Sequence, residues 1–132
     1  MERELIEKLK NKSLNSNQWC LVIGDLMLDQ YIFGEINRIS PEAPIPILKK
    51  EKEQFRMGGA ANVAANLSGL GIKTTLVGLI GRDINGERLT QLIKGKLIST
   101  RGLVKSKNPT TTKTRIISGQ QQIIRIDEEK NL

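Results

Sequence analysis

Apolar positions along the chain change their period several times, and each change marks an element. From Glu2 to Lys12, Leu5, Ile6 and Leu9 fall on one stripe of a helical repeat with charges opposite, which predicts a short amphipathic helix. WCLVIGD is a continuous apolar run closed by Gly24 and Asp25, the pattern of a strand buried on both faces in a parallel sheet. QYIFGEI alternates more and predicts a second strand. RISPEAPIPILKKEK holds Pro41, Pro44 and Pro46, which excludes a helix or a central strand and predicts a loop leading into an edge strand.

Gly58 and Gly59 are then expected to open a helix that ends near Gly71, a position suited to a left-handed cap. KTTLVGLIG predicts the next strand, and INGERLTQLIKGKL the next helix, with Ile84, Leu89, Leu92 and Ile93 on its inner face. Strand and helix in alternation imply a right-handed parallel α/β unit. TTTKTRIISGQQQIIRID holds two β-branched runs around Ser118 and Gly119 and predicts a hairpin. Together with the proline-rich edge, that hairpin would form a small sheet apart from the main one.

Length and composition narrow this picture. A chain of 132 residues fits one domain and buries a core without disulfide or metal staples. Hydrophobic residues at 38% and charged residues at 27% mark a folded protein rather than a disordered one. The net charge of +7 calls for an anionic partner. No run of five basic residues occurs, and Trp19, Tyr31, Phe33 and Phe55 are the only aromatics, which argues against a nucleic-acid binder and leaves a phosphate ester. Cys20 sits in an apolar run and reads as a small hydrophobe. No apolar stretch approaches the ~20 residues of a membrane span, and the N-terminus lacks a signal-type apolar core, so the expectation is a cytoplasmic protein without membrane contact. With no histidine in the chain, His-based metal sites and His general bases are both excluded.

MGGAANVAANLSGLG concentrates small side chains at an expected helix start. Free N–H groups there, preceded by Gly58 and Gly59, let a polyol or an anion approach without meeting a Cβ. Asn62 adds an amide that both donates and accepts, matching sugar hydroxyls. An alternative stays open: Ala61, Ala64, Ala65 and Ser68 at helical spacing also serve close packing on a sheet.

The spacing extends further. GGAANVA is followed after six residues by Gly71 and after nine more by Gly81, and GRDINGE supplies Gly81, Asp83, Gly86 and Glu87. This string resembles the first signature of the ribokinase-like, or phosphofructokinase-B, sugar kinases, together with their G-x-D-x-x-G-E element. GDLMLDQY resembles the end of that family's first strand, where an aspartate five residues after a glycine grips sugar hydroxyls. Here that residue is Asp29, with Asp25 behind it, and a strand-end or turn aspartate is the alternative. A glycosidase pair of Asp25 and Asp29 ranks low, because four extended residues span about 13 Å.

RISPEAP and TTTKTRIISGQQQIIRID are further similar to kinases acting at C1 of D-glycero-D-manno-heptose 7-phosphate, an early step toward ADP-heptose and lipopolysaccharide. A phosphorylated substrate makes Lys113, Arg115 and Arg125 phosphate candidates, beside the alternative of a solvated edge strand. Lys113 and Arg115 share a strand face by period two.

The resemblance implies a ribokinase-like parallel sheet flanked by helices, truncated, with a small β lid from about 30–52 and 110–127. It implies ATP and Mg²⁺ for the complete enzyme. In this chain, IKGKL is no P-loop, since Leu97 follows Lys96 and no glycine stands five residues before Gly95. The resemblance implies that the family's catalytic aspartate, in a G-A-G-D element, and its ATP loops belong to a C-terminal half that is expected to lie outside this chain. No catalytic, nucleotide-binding or metal-binding residue is therefore expected in this chain. The sheet is expected to end with unpaired strands and exposed apolar helix faces. Expected partners are the sugar phosphate, a C-terminal half and a second copy through the lid. A non-catalytic sugar-phosphate-binding module, or half of a split kinase, is the alternative.

Overall fold

The path of the chain is set by two points where it leaves one sheet for another. The computed structural model describes residues 2–14 and 19–130, and of Glu2, Leu9, Lys10 and residues 12–14 the backbone alone. Helix α1 runs Glu2–Leu14; Leu5 and Ile6 on its expected apolar stripe are exposed, and the Leu9 side chain lies outside the described set. Strand β1 (Trp19–Ile23) then stops at Gly24 and Asp25, and the chain re-enters an extended path as β2 (Leu26–Ile39) in a different sheet. Asp29, expected at the end of the first strand, therefore sits on β2. The proline segment makes a short turn, with Ser40 N–H donating to the Ile45 carbonyl, and leads into β3 (Pro46–Gly59), the edge strand expected of it.

Helix α2 spans Ala60–Gly69, so Gly58 and Gly59 close a strand rather than belong to the helix. After Gly71, at φ 82°, come β4 (Lys73–Gly81), α3 (Ile84–Ile93) and β5 (Ile98–Ser106). The chain ends in the hairpin β6 (Thr112–Ser118) and β7 (Gln121–Glu128) around Ser118 and Gly119.

One sheet is parallel with order β1-β4-β5; the other, in order β3-β2-β6-β7, pairs β2 with β6 in parallel and is otherwise antiparallel. The core lies between α2 and α3 and one face of each sheet: Leu26, Leu28, Ala61, Ala64, Leu76, Ile80, Leu89, Ile93 and Ile98 are buried. Ala61 and Ala64 let α2 lie close on the strands, which is the packing role open to them from spacing.

Further expectations change. β1 is an edge strand buried on one side only: Trp19, Leu21 and Ile23 are exposed, with Leu79 and Val104 beside them on the outer face of the same sheet. The uncovered apolar surface is thus largely a sheet face rather than a helix face. Ile84 is 59% exposed because it precedes Gly86 by two residues and points away from the Gly86, Leu89, Ile93 stripe. β5 has no counterpart among the expected strands, since Thr100, Arg101 and Lys105 break its apolar pattern. Among the described residues, no helix is long and apolar enough to cross a membrane.

Candidate functional site

Gly59 and Asp25 make the corner between the two sheets. Gly59 has φ 55° and ψ −135°, a conformation open only to glycine, and a Cβ there would collide with the Asp25 carbonyl oxygen. That carbonyl accepts the Ala60 N–H at 2.9 Å and so ties the start of α2 to the β1–β2 link. Asp25 acts at this corner through its backbone. Its residue also lines an open cleft of about 470 Å³ with Gly24, Gly78, Gly81, Asn108 and Lys130, at the ends of the parallel strands.

One residue earlier, Gly58 leaves room for a carboxylate. A Cβ at Gly58 would lie 2.7 Å from Asp29 Oδ2, so any larger residue there would have to displace the carboxylate. Oδ1 of Asp29 accepts a hydrogen bond from Arg115 Nη1 at 2.7 Å. The pair is only about one-fifth exposed, 22% for Arg115 and 19% for Asp29. Its hydrogen bond to Asp29 raises the Arg115 guanidinium above its usual value, against the opposing effect of burial, and fixes its charge. One carboxylate oxygen is thus held by arginine while the other faces the glycine turn.

Register explains the company that Asp29 keeps. It stands opposite Arg56 on β3 and Lys113 on β6, while Tyr31, two residues on, faces Gln54 and Arg115. Arg125 lies opposite Arg115 and Asp127 opposite Lys113, so all of these side chains share one sheet face. Arg125 is exposed and spends its Nε on Asp127 at 2.9 Å. The guanidinium carbons of Arg56 and Arg115 sit 5.0 and 5.3 Å from the Tyr31 ring centre, and Lys52 Nζ is 4.8 Å from that of Phe33. Cation–π contacts of this kind hold the basic side chains over the strands.

The structure therefore brings Asp29, Gly58, Gly59, Lys113, Arg115 and Arg125 onto one surface or its rim. Asn62, in the first turn of α2, is exposed. Arg56 escaped the sequence reading, and the alternation of Lys52, Gln54 and Arg56 on the approach to Gly58 is the signal that points to it.

Two sheets meeting at a glycine corner, with α2 and α3 packed against both, define a ribokinase-like α/β fold. Residues 17–132 match the model of the pfkB family of carbohydrate kinases, and the chain belongs to that family. It is 46% identical over 130 residues to the bifunctional protein HldE of Methylobacillus flagellatus, covering 98% of this chain and 27% of that protein. It is 44% identical over 111 residues to the D-beta-D-heptose 7-phosphate kinase of Bordetella bronchiseptica, covering 84% of this chain and 36% of that one. The chain thus spans about a quarter to a third of the curated relatives it matches. Arabidopsis thaliana ribokinase, solved with ribose and ATP, shares the fold at a TM-score of 0.65 and 21% identity, over 83% of this chain and 35% of that one.

Proposed function

We propose that this chain supplies the sugar-binding half of a cytoplasmic kinase that transfers a phosphoryl group from ATP, with Mg²⁺, to C1 of D-glycero-β-D-manno-heptose 7-phosphate, on the route to ADP-heptose and lipopolysaccharide. Support comes from the activity named for the Bordetella relative and from the site geometry. The observation that carries most weight is the facing of Asp29 Oδ2 and Gly58. An ionised carboxylate oxygen accepts hydrogen bonds from two neighbouring hydroxyls, and the glycine corner lets a ring come close to the start of α2, where Asn62 stands. Asp29, Gly58, Gly59 and Asn62 then bind the sugar, with Asp25 shaping the corner.

Lys113 and Arg56, either side of Asp29, and Arg125 further out, are the groups for the 7-phosphate. Arg115 shares that face but is occupied by Asp29, so its part is to orient the carboxylate. The four-stranded sheet acts as a lid that keeps water from competing with the C1 hydroxyl for the phosphoryl group. This chain's work is to bind, orient and shield the sugar. A C-terminal half provides the nucleotide site, and a second copy pairs through the lid.

The test is a titration of the chain with D-glycero-D-manno-heptose 7-phosphate, followed by amide NMR. Shifts confined to Asp29, the Gly58–Asn62 turn and Lys113, lost in Asp29→Ala, are expected. Shifts elsewhere, or none at millimolar sugar phosphate, overturn the assignment.

A further inference from the structure

β2 and β6 run parallel, and no tight turn joins them, so nothing local sets their register. A slip of one residue would carry Lys113 and Arg115 to the helix-packed face and expose Thr112 and Thr114. Side-chain contacts from the start of α3 grip the segment that leads into β6. Asp83 caps that helix by accepting the Gly86 N–H at 2.8 Å on Oδ1. The same carboxylate reaches out of its helix: Oδ1 accepts the Thr110 hydroxyl at 2.7 Å and Oδ2 accepts the Thr110 N–H at 2.8 Å. Thr110 Oγ1 in turn accepts the Gly81 N–H at 3.0 Å, so the end of β4 joins the same knot.

Two residues on, Asn85 Nδ2 donates to Thr112 Oγ1 at 3.0 Å, and two further on, Thr114 Oγ1 donates to Gln30 Oε1 at 3.0 Å. Thr110, Thr112 and Thr114 are all buried, and Thr112 and Thr114 share one face of β6. Thr111, between them, accepts the Leu28 N–H at 2.9 Å with its carbonyl and so starts the ladder with β2.

We infer that Asp83 is a positioning residue: through Thr110 it sets the register of β6 on β2, and so places Arg115 against Asp29. A carboxylate is required here because three donors converge on its two oxygens. An asparagine in either orientation turns an NH₂ group toward a backbone N–H, of Gly86 or of Thr110. The importance of the Asp29–Arg115 pair rests on the sugar site proposed above, whereas its placement is tested without sugar.

The experiment compares the chain with Asp83→Asn, Thr110→Val and Thr110→Ser by amide hydrogen exchange, together with the NMR signal of the Arg115 guanidinium. In Asp83→Asn and Thr110→Val, exchange at Lys113–Ile117 is expected to rise on the order of tenfold while Leu76–Ile80 of β4 stays protected. The Arg115 side-chain signal is expected to lose its ion-paired character, and Thr110→Ser, which keeps the hydroxyl, to restore both readouts. An unchanged β6 and Arg115 signal overturns the inference, as does a rise spread equally over β4 and β6. Should Asp83→Asn fail to fold, Thr110→Val, which keeps the backbone N–H and the shape of the side chain, decides by the same two readouts.

Discussion

Asp29 and Arg115, 86 positions apart in sequence, meet at 2.7 Å across two parallel strands. Both are largely withdrawn from water, so removing one leaves the other with a desolvated charge. Asp29→Ala is therefore expected to cost about 1–3 kcal/mol of stability as well as sugar binding. Arg115→Ala should cost a similar amount, and the double variant less than the sum. Urea unfolding of the four proteins measures the coupling, and strictly additive losses would mean that the pair is not formed in solution.

The close approach of Gly58 to Asp29 separates two glycine substitutions. In Gly58→Ala the new Cβ would stand 2.7 Å from Oδ2, so the carboxylate must shift, and sugar-phosphate affinity is expected to fall at least tenfold. Gly59→Ala forces φ 55° on an L-residue against the Asp25 carbonyl, where the backbone cannot yield. The larger stability loss should come from Gly59→Ala, by about 2 kcal/mol or more. Thermal unfolding and calorimetric titration of both variants check the order.

Much of this arrangement is legible from residue types. Proline spacing marks the edge strand, Ser118 and Gly119 the hairpin, and the glycine–alanine string the helix α2, though not the corner before it. Coverage was not legible. WCLVI is apolar at every position, and the pattern records which faces avoid water without recording what covers them. β5 hid because Thr100, Arg101 and Lys105 interrupt it, and Ile84 looked like core because the helix phase becomes fixed only at Gly86. Arg56 and the threonine face of β6 depend on pairing between strands far apart in sequence, and register of that kind is a tertiary property.

Asp83 gives the fold a pH dependence of known sign. Burial pushes its carboxyl upward, but hydrogen bonds from the Thr110 hydroxyl, the Thr110 N–H and the Gly86 N–H outweigh that and hold it below the ordinary value of 3.8. A carboxyl lowered on folding contributes stability that is present above its unfolded value and lost as pH falls through its folded one. Asp83→Asn should therefore be less stable than the parent by about 1–3 kcal/mol near neutrality. The gap should begin to close as pH drops past 3.8 and vanish below the folded value. Denaturation at pH 7, 4 and 2.5 tests it, and a gap independent of pH would assign the loss to packing.

The outer face of the parallel sheet makes the last prediction. Leu21, Ile23, Leu79 and Val104 are 50%, 69%, 56% and 55% exposed on neighbouring strands, a contiguous apolar patch of the kind that marks an association surface. Taken alone, the chain is expected to bind a hydrophobic dye and to self-associate through this face. Leu79→Glu with Ile23→Lys should suppress both while changing stability by less than about 0.5 kcal/mol, because those side chains contribute little burial to lose. The pairing through the lid proposed above would be a separate process, since Ile124 and Ile126 lie on β7 of the other sheet. A dimer that survives Leu79→Glu and Ile23→Lys but dissociates in Ile126→Lys is held by the four-stranded sheet, and sedimentation velocity distinguishes the two. If association persists in all three substitutions, the bare parallel face is not what drives it.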